Sequence, residues 1–200
     1  GPVMSILSPD FYARDTLLVA KELLGKVLVR TLPDGTQVKC PITETEAYIG
    51  RMDKACHAYS YKRTARTETL FAPPGTAYIY LIYGMYHCLN FVTEAQGEPA
   101  AVLIRGAAQG ENGDIIAKNR FGCNTDQLTA YQRKNLLNGP GKLCRALQLT
   151  RQENGLPLSG PELYVEDGPA PAVIHTGKRI GIDYAEEAAD FPWRFWTDPL

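Results

Sequence analysis

The stretch that decides the fold is PITETEAYIG, Pro41 to Gly50. It reads as a strand. Side chains alternate every two residues, so Glu44, Glu46 and Tyr48 share one face and Thr43, Thr45 and Ala47 the other. Carboxylates beside an aromatic ring are awkward to bury, so this face predicts a pocket where a base sits next to a stacking platform. His57, one of three histidines, follows nine residues after Tyr48. Upstream, KVLVR (26–30) alternates and is β-branched. Pro33-Asp34-Gly35 is a turn signal, which makes Gln37 to Tyr48 the antiparallel return of a hairpin. Before it, residues 8–24 predict helix. Ser8-Pro9 places a cap before proline, Asp15 caps the segment TLLVAKELL, and Gly25 ends it.

Downstream, residues 51–74 lack strong periodicity and carry a basic stretch with Lys62, Arg63 and Arg66. TAYIYLIYGMYHCLNF (76–91) predicts a strand that turns at Gly84 and a second strand from Tyr86. Tyr78, Tyr80 and Ile82 share one face; Ile79, Leu81 and Tyr83 share the other. AAVLIR (100–105) is a buried strand ending in a charge. Residues 105–135 read as polar helix and loop. Asn138-Gly139-Pro140-Gly141-Lys142 is a glycine-rich turn opening a helix, with apolar positions at Leu143, Ala146 and Leu147. ELYVED (162–167), RIGID (179–183) and WRFW (193–196) read as strands. The pattern predicts one α+β domain spanning 1–200, built on an antiparallel sheet. Residues 1–3 precede Met4 and read as a cloning remnant.

The chain has 200 residues, 44% of them hydrophobic and 22% charged, which suits a folded domain rather than a disordered or fibrous one. No apolar run has the length of a membrane span, and no signal-peptide pattern opens the chain. Five cysteines without CxxC spacing (Cys40, Cys56, Cys88, Cys123, Cys144) argue for reduced thiols, a cytoplasmic location and no structural zinc. Net charge is −1, yet residues 105–151 hold eight basic and three acidic side chains, an excess of five. That excess fits either a nucleic-acid face or a solvated surface balanced by the acidic tail.

Each chemical reading has a plain alternative. Most strand glutamates are solvated edges. Glu46 stands out because its neighbours are small or apolar and Tyr48 shares its face; Glu44 keeps the plain reading. Tyr78, Tyr80, Tyr83 and Tyr86 fit a core or a platform for flat ligands, where stacking contributes roughly 1–3 kcal/mol per base. The Asn138–Lys142 turn resembles an anion nest but lacks Walker A spacing, which disfavours ATP. His57 alone reads more readily as packed or surface, as do His87 and His175.

Taken in order, ETEAY (44–48), His57, YIYLIYGMYHCLN (78–90), VLIR (102–105), GPGKLCRAL (139–147) and RIGI (179–182) resemble the 3-methyladenine (alkyladenine) DNA glycosylase family, in a bacterial form. The match runs from about Ser8 to Trp196. The resemblance implies a curved antiparallel sheet with surrounding helices and an aromatic hairpin that enters DNA. It implies Glu46 as the base that activates water, Arg105 as its partner at the water and the nucleotide phosphate, and the Ile180 carbonyl as a third anchor for that water. Tyr48 would stack on one face of the flipped base, and His57 and Tyr80 on the other. Asn90 would border the base edge and select against guanine's exocyclic amino group. Tyr83 would be the wedge, with Met85 and Tyr86 beside it on DNA, and Lys142 would hold phosphate. The implied partner is double-stranded DNA containing damaged purines, bound by a monomer with no metal and no cofactor.

The implied chemistry is coherent. A cationic alkylpurine is already a good leaving group, so one carboxylate and one water suffice where ordinary glycosidases use two carboxyl groups. No lysine sits at the matched catalytic positions, which disfavours a lyase step. A neutral purine would need a proton, and the sequence offers no unambiguous acid. The alternatives are a non-catalytic damaged-DNA or RNA recognition module using the same aromatic face, and an enzyme acting on free nucleosides.

Overall fold

The computed structural model describes residues 5–200, so the cloning-remnant reading of residues 1–3 falls outside it. Its frame is one antiparallel, curved, eight-stranded sheet. The strands are β1 (Val27–Thr31), β2 (Gln37–Ile49), β3 (Ala77–Ile82), β4 (Tyr86–Val92), β5 (Ala100–Ala107), β6 (Leu163–Glu166), β7 (Ile174–Gly177) and β8 (Arg194–Thr197). Their order is β3-β4-β5-β2-β1-β6, with β8 against β2 and β7 against β8. At thirteen residues β2 is long enough to serve several neighbours. Its first half pairs with β1 across the predicted hairpin. Its second half pairs with β5 on one edge and, at Glu44 to Glu46, with β8 on the other.

Period-2 alternation sorts these strands into two faces. Ala47, Ile49, Ile79, Leu89, Phe91, Val102 and Ile104 enter the main core. Helices α2 (Thr16–Glu22) and α5 (Pro140–Ala146) close that core, α2 against β2 and β5 and α5 against β4 and β5. Tyr48, Tyr78, Tyr80, Val92 and Ala101 lie on the other face, in a smaller cluster with Cys56, Leu70 and Phe71 from the 51–74 segment. The sheet thus separates a stabilising face from one that can carry a site.

The remaining helices are α1 (Pro9–Tyr12), α3 (Gly113–Phe121) and α4 (Ala130–Lys134). Asp15 caps α2 as expected, accepting from the Leu18 N–H at 3.0 Å, whereas the Ser8 side chain makes no cap bond at α1. The aromatic hairpin forms, turning through Tyr83 and Gly84, both at positive φ. All five cysteines are free thiols. Among the described residues no helix is long and apolar enough to cross a membrane.

The expected strand at RIGID (179–183) is not there. Gly181 has a φ of 75°, the Ile180 N–H leaves the backbone ladder, and a 3-10 segment (Asp183–Asp190) follows. The strand of this region lies earlier, at β7, whose residues are exposed or half-buried and so carry no apolar alternation to read.

Candidate active site

Glu46 is fully buried, on the face opposite the main core. The Tyr48 hydroxyl donates to its Oε1 at 2.7 Å and the Ile180 N–H to its Oε2 at 2.9 Å. Arg105 Nε lies 3.7 Å from the same Oε2 and 3.6 Å from Glu44 Oε2. Desolvation is the largest influence and raises the Glu46 pKa; Arg105, the Ile180 N–H, the Tyr48 hydroxyl and Arg179 only partly offset it.

A register shift delivers Arg105 to this point. Ile104 pairs with Thr45 and Gly106 with Glu44, which leaves Arg105 as an extra residue between them. A bulge of this kind bends the strand and re-aims a side chain. Arg105 Nε is buried and has no protein hydrogen-bond partner among the described residues. A donor is therefore held against two carboxylates without being consumed by either. Glu44 is also matched by Arg194 of β8, whose Nη1 donates to it at 3.1 Å.

The stacking walls come from three elements. Tyr48 lies on β2. Tyr80 on β3 meets His57 edge-on, with centroids 4.7 Å apart at 73°. Burial first, then the Arg66 charge, lowers the His57 pKa to about 4, so this ring is neutral at physiological pH. Arg66 itself lies 5.5 Å from the Tyr80 ring centre. Asn90 on β4 donates through Nδ2 to the Tyr78 and Cys88 carbonyls, at 3.2 and 3.4 Å, which fixes its amide.

These walls face a cleft of about 480 Å³, lined by Tyr48, His57, Tyr80, Tyr83, Arg105, Lys142 and Ile180 among others. Asn90 lies deeper, on a small inner cavity shared with Tyr48, His57 and Tyr80. Tyr83 is 81% exposed at the hairpin turn, with Met85 and Tyr86 also exposed. Tyr86 packs on the glycine-rich turn so closely that a Cβ at Gly141 would fall 2.8 Å from its ring. Lys142 is held by Asn135 Oδ1 at 2.8 Å and Asn138 Oδ1 at 3.3 Å. Most sequence-selected residues line this cleft; Asn90 lines the inner cavity, Glu46 lies behind the wall, bonded to Tyr48 and Ile180, and Met85 stands outside on the hairpin. Ile180 meets Glu46 through its N–H, whereas the sequence reading used its carbonyl.

Sequence reasoning missed the support beneath this cleft. Arg179 and Asp53 form a fully buried ion pair, Nη1 to Oδ2 at 2.5 Å and Nη2 to Oδ1 at 2.9 Å. Arg179 also donates to the Ala47 and Ala188 carbonyls and lies 4.8 Å from the Tyr48 ring centre and 5.0 Å from that of Trp193. Tyr184, exposed on the cleft rim, was also missed. The only available signal was Arg179's place in RIGI.

Among proteins of known family, the model of the methylpurine-DNA glycosylases matches residues 10–199. A relative in Clostridium perfringens strain SM101 is 55% identical over 194 residues, 95% of this chain and 94% of its own. One in Desulfitobacterium hafniense is 50% identical over 196 residues, 98% and 96% of the two chains. One in Alkaliphilus oremlandii is 51% identical over 191 residues, 95% and 94% of the two. All three bear the name "Putative 3-methyladenine DNA glycosylase". The chain belongs to the methylpurine-DNA glycosylase family and is an enzyme of the DNA N-glycosylase class.

Proposed function

We propose that this enzyme flips alkylated purines such as 3-methyladenine out of duplex DNA and hydrolyses their N-glycosidic bond with a water activated by Glu46. The observation that carries this reading is a buried carboxylate at the wall of an aromatic cleft, beside an Arg105 Nε that has no hydrogen-bond partner among the described residues. A base inside the stack cannot be reached, so the nucleotide must turn out, at a cost of a few kcal/mol that is least for a damaged pair. Tyr83, exposed at the hairpin turn, fills the gap left behind. Tyr48 covers one face of the flipped purine and His57 and Tyr80 the other. Electron-rich rings favour a cationic base, by about 2 kcal/mol when desolvated. A neutral His57 suits that role, since a charged ring would repel the same base.

In the chemical step the C1′–N bond breaks and its electron pair leaves with the purine. Water adds to C1′, and Glu46 takes its proton while stabilising the developing positive charge on the sugar. Arg105 orients the water and keeps Glu46 ionised. Asn90 borders the base edge, and Lys142, Met85 and Tyr86 meet the DNA around the lesion. The direct test is incubation with methylated duplex and, separately, with free methylated nucleoside. Base should be released from the duplex only, and binding should weaken steeply with salt.

A general base must be ionised, so activity falls as pH drops through the Glu46 pKa. Because burial raises that pKa, the acid limb of the single-turnover rate should lie above the ordinary glutamate value of about 4.3. Arg105→Gln removes the main stabilising charge and should move the limb further up. Tyr83→Ala should slow excision from duplex about tenfold or more, a loss of roughly 1.4 kcal/mol, and excision from a single strand far less. An equal loss on both substrates would reject the wedge.

A further inference from the structure

Tyr78 has no part in this mechanism, yet it lines the inner cavity and carries a buried hydroxyl without a protein hydrogen-bond partner among the described residues. It lies on β3 two residues before Tyr80, so both rings leave the same strand face, with centroids 5.4 Å apart. The residue is 2% exposed, and among the described residues its Oη has no hydrogen-bond partner. Tyr12 has the same deficiency but belongs to the main core and borders neither cavity. Tyr78 lines the inner cavity with Tyr48, His57, Tyr80 and Asn90. Three of these, Tyr48, His57 and Tyr80, also line the main cleft, so the inner cavity adjoins it across those side chains. At about 20 Å³ it has room for one water-sized group. Burial pushes the Tyr78 phenol up to about 12, so it remains a hydrogen-bond donor at physiological pH.

Leaving a buried hydroxyl unpaired is unfavourable, so such groups in a pocket wall call for a reason. We propose that the Tyr78 hydroxyl donates a hydrogen bond to an acceptor atom of the flipped purine, and that a neutral purine depends on this bond more than a cationic alkylpurine does. The inference rests on the glycosylase reading above. When the C1′–N bond breaks, its electron pair goes to the base. A cationic alkylpurine thereby becomes neutral and needs no further help. A neutral purine such as hypoxanthine becomes an anion until it takes a proton from solvent. A fixed donor in a site with little water stabilises that developing charge. Tyr78 keeps its own proton throughout. It supplies a hydrogen bond, which is the assistance the sequence could not find for neutral leaving bases.

The test is Tyr78→Phe, which removes the oxygen and conserves the ring. Single-turnover release of hypoxanthine and of 7-methylguanine is measured from matched duplexes with the same preparations. The ratio of the two rates does not depend on the fraction of enzyme folded. The hypoxanthine to 7-methylguanine ratio should fall about tenfold or more, with a melting temperature equal to or above wild type because no unpaired hydroxyl remains. A ratio within about twofold of wild type overturns the inference and assigns the hydroxyl to structure or bound water. A wild-type enzyme that releases 7-methylguanine but no hypoxanthine also overturns it and leaves the glycosylase reading standing. Release of neither base overturns the glycosylase reading itself.

Discussion

Glu46→Gln is expected to reduce base release by about 10³-fold or more, the upper part of the range for loss of a general base, while leaving binding to damaged duplex close to wild type. The substitution is nearly isosteric and changes what the site can do rather than its shape. A side-chain amide at this position cannot take a proton from water or stabilise a positive sugar. It still presents a carbonyl oxygen to one of the two donors that now reach Glu46, the Tyr48 hydroxyl and the Ile180 N–H. The aromatic walls and the hairpin do not depend on the charge. Removing a buried negative charge next to Arg105 and Arg179 also leaves the cleft more attractive to phosphate. Single-turnover excision on a methylated duplex and a titration of the same duplex separate the two quantities. Unimpaired release would reject Glu46 as the base. Tight binding by the wild type without release would favour a recognition module instead.

Much of this site could be read from residues 41–50 because β-alternation is a local rule. Glu46 and Tyr48 share a face whatever lies around them, and the structure joins them by a hydrogen bond. The aromatic run divides along its length in a way that alternation alone could not decide. Tyr78 is buried in the smaller cluster, Tyr80 packs at its edge, and Tyr83 stands in solvent at the turn. Arg105 was legible as the charge that ends a buried strand, but its approach to Glu46 depends on a register shift against β2. That shift is set by how two distant strands pair and leaves no mark in either sequence. The RIGID segment misled for the opposite reason. Ile180 and Ile182 alternate like a strand, but the Ile180 N–H is used by Glu46 and Arg179 is drawn into the interior. A functional contact there overrides a local pattern. Asp53 was invisible because its partner lies 126 positions away and its own loop has no period.

Asp53→Ala should be among the most destabilising single changes in the chain, at about 3–5 kcal/mol, the usual cost of breaking a buried pair by removing one partner. For a chain of this size each kcal/mol lowers the melting temperature by roughly 2–4 °C, so a fall of about 6–20 °C is expected by calorimetry. The size follows from what remains. Arg179 would stay enclosed between Tyr48, Trp193 and two backbone carbonyls, with no paired carboxylate and only the more distant Glu46 to offset its charge. Asp53 also accepts from the Ile49 and Ala55 N–H groups, so its loss unties the loop that leads to His57. Asp53→Asn keeps the shape and some of these acceptors and should cost less. Pairing Asp53→Ala with Arg179→Met should be less destabilising than the sum of the two single changes, because the stranded charge disappears with its partner. Strict additivity would mean that the pair is not coupled and that Asp53 acts through its loop alone. Coupling would mean that the stacking ring Tyr48 and the Ile180 donor are held in register with Glu46 by one ion pair. Any Asp53 variant that still folds should then lose excision through misplacement of those two groups, with the Glu46 carboxylate still in place.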